Sequence, residues 1–420
     1  SLGISPRILG FTLEAAHAYG LQRDFYHANP ADGFSPWTFR RDELSYALFG
    51  RLGYDPATPD AVFRGMLAAR VGTSELWDAV QAASDIVPWI QTALTCGPDQ
   101  RDYAPELELG GTVAYWASST HTSDEDAACH KGHFAFDGFA VAMPFEAAED
   151  VVQGRGTSRL SSVDVAQIVL ADAKLARTAS QAKIDPANAE ARDYVRECTA
   201  LADLGEWFAH KLRSATALAV YEGTGSTEWL DAARGEIALA DGAFTTLASD
   251  TAYIAPFDEL MRMVRLHLPR FHWRDELPLL ALDPASIDAV VAAVRARPPR
   301  PLFPLPHAKA WLDSPRGPGP GLSNLAVSPS DPKAAAWTVT VTLASPPSPS
   351  ERVNVLYRTF KSDGPDWTAM PATGGGTTWK ATVPGTGEGG MFAVEIAGRQ
   401  GEAYRYPDVR KETPYRVVAP

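Results

Sequence analysis

Cysteine is scarce in this sequence. Cys96, Cys129 and Cys198 stand far apart in 420 residues. An odd, scattered set makes no disulfide framework and leaves the redox compartment open. Long apolar runs are missing too: no stretch of about 18 consecutive apolar residues occurs, so no membrane span is expected. Positive charge is in deficit, with 38 Lys and Arg against 51 Asp and Glu, a net charge of −13. No basic stripe is visible, so nucleic acid is not an expected partner. Loose electrostatic capture of acidic polymers is disfavoured as well, and recognition of an acidic sugar would need a local Arg or Lys cluster. Neither CxxC nor HExxH appears, and no metal or other cofactor is expected. The opening "SLGISPRILGF" lacks a basic n-region, an apolar h-region and an initiator Met. The expectation is that no signal peptide is present here and that a leader was removed or the chain continues something longer. Periplasmic, secreted and cytoplasmic locations all stay open.

What is present is ordinary globular material, 45% apolar and 21% charged. The length exceeds one ordinary core, so about two to three domains are expected. Texture divides the chain four ways. Residues 1–56 mix the apolar run "RILGFTLEA" with an aromatic polar loop, "YGLQRDFYHANPADGFSPW". Residues 57–297 are Ala-rich and helical in pattern. Residues 298–324 are dense in Pro and Gly and read as a linker laid over a surface. Residues 325–420 alternate with period two. The expected fold class is therefore α+β and multidomain.

The helical evidence is periodic. Tyr194, Cys198, Leu201, Leu204, Phe208, Leu212, Ala215 and Ala219 recur every three or four residues. They predict one apolar stripe on a helix about nine turns long. On that reading His210, Lys211 and Arg213 lie on its solvated face. "TSELWDAVQAASDIVPWIQTAL" predicts a helix kinked near Pro88. Ser226 or Thr227 is the expected cap of a third helix, and Asp283 with Pro284 the start of a fourth. Near the end, "WTVTVTL" puts Trp337, Val339, Val341 and Leu343 on one strand face. "VNVLY", "MFAVEI" and "TTWKATVPG" behave likewise, which predicts a β-sandwich of immunoglobulin or fibronectin type III style.

The densest polar-aromatic cluster is His17, Tyr19, Arg23, Tyr26, His27, Asn29 and Trp37. Aromatic faces bind sugar C–H surfaces, polar groups bind hydroxyls, and an Arg fork fits a sugar carboxylate. Glu14, in "FTLEAAH", is the candidate catalytic carboxylate. Its alternative is a structural ion pair with Arg23 or Arg40. "THTSDEDAACHKGHFAFDG" holds His121, Cys129, His130 and His133, but without zinc-site spacing it reads as a polar loop.

The stretch from "RILGFTLEAAHAYGLQRDFYHANP" to "FGRLGYDP" resembles α-glucuronidase-type glycoside hydrolases. The resemblance implies the end of a (β/α)8 barrel. "ILGFTLEA" is then a late strand, the aromatic loop its βα-loop, and "RRDELSYALFGRLGYDP" the last barrel helix. An all-helical domain follows. Arg51, in that helix, pairs with a carboxylate while its stem packs. A whole barrel takes about 200–250 residues, far more than precede residue 56. The expected partner is therefore a second chain or homo-oligomer that completes the barrel, besides a carbohydrate substrate. Three functions compete: a glycoside hydrolase on an acidic or branched glycan, a polysaccharide lyase with helical toroid and β-sandwich, and a non-catalytic glycan-binding or assembly subunit.

Overall fold

The computed structural model describes residues 28–33, 40, 43–94, 109–118, 141–154, 156–255, 257–258, 270–297, 304–313, 319–359, 367–385, 387, 389–397, 403–408 and 415–418. Eleven helices are described: α1 (Glu43–Tyr54), α2 (Asp60–Val71), α3 (Trp77–Leu94), α4 (Thr112–Ala117), α5 (Pro144–Gln153), α6 (Ser162–Ala176), α7 (Ala189–Thr224), α8 (Thr227–Asp250), α9 (Trp273–Glu276), α10 (Leu282–Arg295) and α11 (Ala308–Asp313). The strands β1 (Val141–Ala142) and β2 (Leu160–Ser161) form one small parallel pair, and β3 (Phe257–Asp258) and β4 (Arg270–Phe271) one antiparallel pair.

The axis of the helical body is α7. Its 36 residues rise through about 54 Å. The start is fixed by Asn188, whose side chain accepts the Ala191 N–H at 3.0 Å. Asn188 also donates to the Arg70 carbonyl at the end of α2, 3.1 Å away. The end is fixed by Gly225 in the left-handed region, φ 72°, where its N–H returns to the Tyr221 carbonyl at 2.7 Å. A residue with a Cβ resists that conformation, so the glycine sets the stop.

The expected stripe on α7 is correct but incomplete. From Ala202 to Tyr221 nearly every residue is buried, on all sides of the helix. Helices α3, α4, α5, α6 and α8 pack around it. The core gathers Trp207, Phe208, Leu212 and Leu218 with Trp77, Ile86, Val169, Trp229 and Phe244. Trp207 meets Phe244 edge-on, with ring centroids 5.3 Å apart. Gly205 marks the closest approach: a Cβ there would stand 3.0 Å from Ile86 Cγ2 and 3.1 Å from Val169 Cγ1.

Two local expectations need correction. Helix α10 begins at Leu282, after a 3-10 turn over Leu277–Ala281, so Asp283 is not its cap but lies inside the first turn. Its carboxylate accepts from the Val113 N–H of α4, and tertiary bonding displaced capping. The 298–324 stretch is not wholly a surface linker, because it contains α11. There Ala308 and Leu312 are buried in the helical core, and the Trp311 ring centroid lies 5.8 Å from that of Trp229. Helix α3 runs on through Pro88. Arg51 is exposed in the last turn of α1, which buries Leu44 and leaves Tyr46, Phe49, Leu52 and Tyr54 outward. The segment Trp273–Arg295 is long and apolar enough by composition to cross a membrane. Here it is broken by the 3-10 turn and sends Asp283, Ile287 and Val291 into the helical body.

The remaining strands are β5 (Leu322–Ser328), β6 (Ala336–Leu343), β7 (Arg352–Thr359), β8 (Thr368–Pro371), β9 (Thr373–Gly375), β10 (Thr378–Pro384), β11 (Gly390–Ala397), β12 (Ala403–Tyr406) and β13 (Arg416–Val418). One antiparallel sheet runs β5-β6-β10-β9. The other runs β12-β11-β7-β8, with β13 also on β11. The period-two residues face a shared core: Trp337, Val339, Val341, Leu343 and Val383 from one sheet, Val353, Val355, Phe392, Val394 and Ile396 from the other. Trp337 and Phe392 meet edge-on at 5.5 Å.

Candidate functional site

Glu14, His17, Tyr19, Arg23, Tyr26, His27 and Trp37 lie outside the described residues, as do His121, Cys129, His130 and His133. Asn29 is described. Its side-chain oxygen accepts the Ala31 N–H at 3.2 Å and caps the short turn Pro30–Asp32. The preceding Ala28 N–H donates to the Tyr253 carbonyl at 2.8 Å. Tyr253 in turn lies under the Arg196 guanidinium, 4.8 Å from its ring centroid. Residue 28, within the predicted sugar-binding loop, is thus tied to the region just beyond α8.

The chemistry legible in the described residues lies along α7, and it overturns the solvated-face expectation. Lys211 is fully buried. Its Nζ stands 2.8 Å from Asp283 Oδ2, and Asp283 is equally buried. The ammonium also lies over the Trp116 and Trp207 rings, 5.2 and 5.5 Å from their centroids. Burial pushes the nearby Asp241 carboxyl up to about 6; the Asp283 charge adds to the rise and Lys211 opposes it. A desolvated cation is tolerated here because a carboxylate and two aromatic faces replace water.

Two residues on, and so on another side of the same helix, Arg213 reaches Glu236 at 2.9 Å and Asp313 at 2.5 Å. His210 Nδ1 is 2.7 Å from the other Glu236 oxygen. Asp313 also takes Lys309 at 2.8 Å, and both cations hold its carboxyl below the usual carboxylate range. This network joins α7, α8 and α11. Farther up α7, Arg177 binds Asp203 and Glu206, each at 2.6 Å. Burial still raises the Asp203 carboxyl to about 6.

Across α3 and α6, burial raises the Asp85 carboxyl, and it lifts Asp172 to about 6 with help from the Asp85 charge. His272 is buried. Its Nδ1 accepts the Arg274 N–H at 3.1 Å while Nε2 lies 3.3 Å from the Thr251 carbonyl, which assigns the proton to Nε2. Burial, and then Arg274, lower its pKa, and the neutral ring acts as the α9 cap.

These groups hold elements in register. Lys211 with Asp283 joins α7 to α10, and the Val113 bond adds α4. No group of three or more His, Cys, Asp or Glu among the described residues is arranged to hold a metal ion. Sequence reasoning missed Asp283, Glu236 and Asp313 as partners of Lys211 and Arg213 because each lies on a different helix from these α7 cations. The one available signal was the density of charge in "AHKLRSA" inside an otherwise apolar helix.

No protein-family description matches the chain, and no curated protein matches it. Its fold does match a solved structure, described as a GH138 enzyme targeting pectin rhamnogalacturonan II, with a TM-score of 0.54 and 14% identity. The match covers 67% of this chain and 41% of that one. The chain thus spans about two fifths of that enzyme's length. At this identity the likeness is one of fold, and the fold is one that a glycoside hydrolase carries.

Proposed function

We propose that this chain is part of a carbohydrate-active enzyme, a glycoside hydrolase acting on an acidic or branched glycan. The fold shared with an enzyme that targets pectin rhamnogalacturonan II carries the reading. The resemblance of the first residues to α-glucuronidase-type hydrolases supports it independently.

In this reading Glu14 is one of the two carboxylates that glycoside hydrolysis requires. One carboxyl protonates the leaving oxygen and the other activates water or attacks the sugar. Tyr19, Tyr26 and Trp37 offer flat faces to the sugar ring, Arg23 a fork for its carboxylate, and His17, His27 and Asn29 hydroxyl contacts. The second carboxylate comes from whatever completes the barrel. The helical body and two-sheet unit then serve as the frame behind the site. A lyase is the second reading, favoured by the combination of a helical body with antiparallel sheets. It would abstract a proton beside a uronate and leave an unsaturated product.

The test is Glu14→Gln, which keeps shape and removes the ionisable group. Turnover should fall by about a hundredfold or more, the scale of lost acid–base help, with the melting temperature nearly unchanged. Full turnover in the variant removes Glu14 from the chemistry. An unfolded variant supports the structural ion pair instead.

A further inference from the structure

We infer that the outer face of the β12-β11-β7 sheet is a docking socket for the helical body of the same chain. The two-sheet unit is then a fixed brace and not a free glycan-capturing arm. The socket is one row of side chains across three strands. Glu395 on β11 is the register partner of both Asn354 on β7 and Arg405 on β12. All three lie on the face opposite Val355, Val394 and Ile396, because neighbouring residues of a strand point to opposite faces. Asn354 donates to Glu395 Oε2 at 3.2 Å, and Arg405 lies 3.5 Å from Glu395 Oε1.

Ser158 enters the middle of this row from the helical body. Its hydroxyl donates to Glu395 Oε1 at 2.6 Å and accepts from Arg405 at 2.9 Å. One small side chain so makes two charge-assisted bonds, one donated and one accepted, which fix orientation as well as contact. Ser158 is 8% exposed. The next residue, Arg159, fastens the segment to the helical body through Glu146 at 3.0 Å and the Val141 carbonyl at 3.4 Å. Farther along the same sheet face Leu356 and Ala393, also register partners, are buried with Trp367 packed on them. The Trp367 ring centroid is 6.1 Å from that of Tyr415. The polar row and the aromatic cover of this face are both already engaged. Among the described residues, the side chains a sugar would need there, Asn354, Glu395, Arg405 and Trp367, already have partners within the chain.

The test uses the full chain and Ser158→Leu, which forces an apolar branch against the charged row. Hydrogen exchange and small-angle scattering are read together. Exchange over residues 156–161 should rise by about tenfold or more as the segment opens, and the scattering envelope should broaden. Protection of β6 and β10 should hold, showing that the sheets remain folded. If the leucine unfolds α7, Ser158→Ala decides, with a smaller shift in the same direction. Unchanged exchange and scattering in the folded variants would overturn the inference. So would a wild-type chain whose two parts already tumble independently, or an oligosaccharide that binds at Asn354, Glu395 and Arg405.

Discussion

Replacing Lys211 by Met should be among the most damaging single changes in the helical body. The methionine fills most of the same volume but leaves Asp283 charged and fully buried, with the Val113 N–H at 3.2 Å as its remaining bond among those described above. Breaking one side of a buried ion pair costs about 3–5 kcal/mol. The lost contact with the Trp116 and Trp207 faces falls within that range. For a body of this size that is a fall in melting temperature of about 10 °C. Adding Asp283→Asn removes the orphan charge and keeps an acceptor for Val113, so the double variant should regain more than half of the loss. Thermal and urea unfolding of the four proteins closes the cycle. A Lys211→Met protein within about 0.5 kcal/mol of the parent, the range of ordinary surface substitutions, would refute the buried pair.

Asp172→Asn should stabilise the protein at neutral pH by about 1 kcal/mol, since it removes a carboxylate that burial disfavours. The sign follows from a folded pKa of about 6 against an ordinary carboxylate value of 3.8. The folded state holds the proton longer, so this group lowers stability as pH rises from about 4 to 6 and the penalty is complete above that. The variant should flatten that part of the stability–pH curve, and an unchanged curve would remove Asp172 as its cause. Gly205→Val should cost about 3 kcal/mol in urea unfolding, because its branches have no room between Ile86 and Val169. A neutral result would mean that α3 and α6 can step back from α7.

Some of this structure was legible in the chain itself. The apolar spacing in 194–219 announced a long helix, and the alternation in "WTVTVTL" announced which faces of β6 are buried. Local order suffices there because the signal and the structure share one period. The charged segment of α7 was misread for the opposite reason. Lys211 and Arg213 look solvated beside their sequence neighbours, and only the tertiary partners Asp283, Glu236 and Asp313 make them interior residues. Asp283 was misplaced likewise: a cap motif fits the local letters, while Lys211 and Val113 claim the side chain. The Pro-rich stretch hid α11, whose Ala308 and Leu312 are too few to make a pattern by themselves. Of the predicted sugar-site residues, Asn29 is described, and there its side chain serves as a turn cap.

Product analysis tests the central functional claim most directly. Protein isolated from its natural source, so that any chain completing the barrel is retained, is incubated with rhamnogalacturonan II oligosaccharides. The products are then read by mass and ultraviolet absorbance. Hydrolysis predicts fragments heavier in sum than the substrate by one water per cleaved bond, with no new absorbance. An unsaturated uronide chromophore without water uptake would contradict the hydrolase account in favour of a lyase. Intact glycan after prolonged incubation, with rhamnogalacturonan II and other acidic oligosaccharides alike, would contradict it in favour of a non-catalytic subunit.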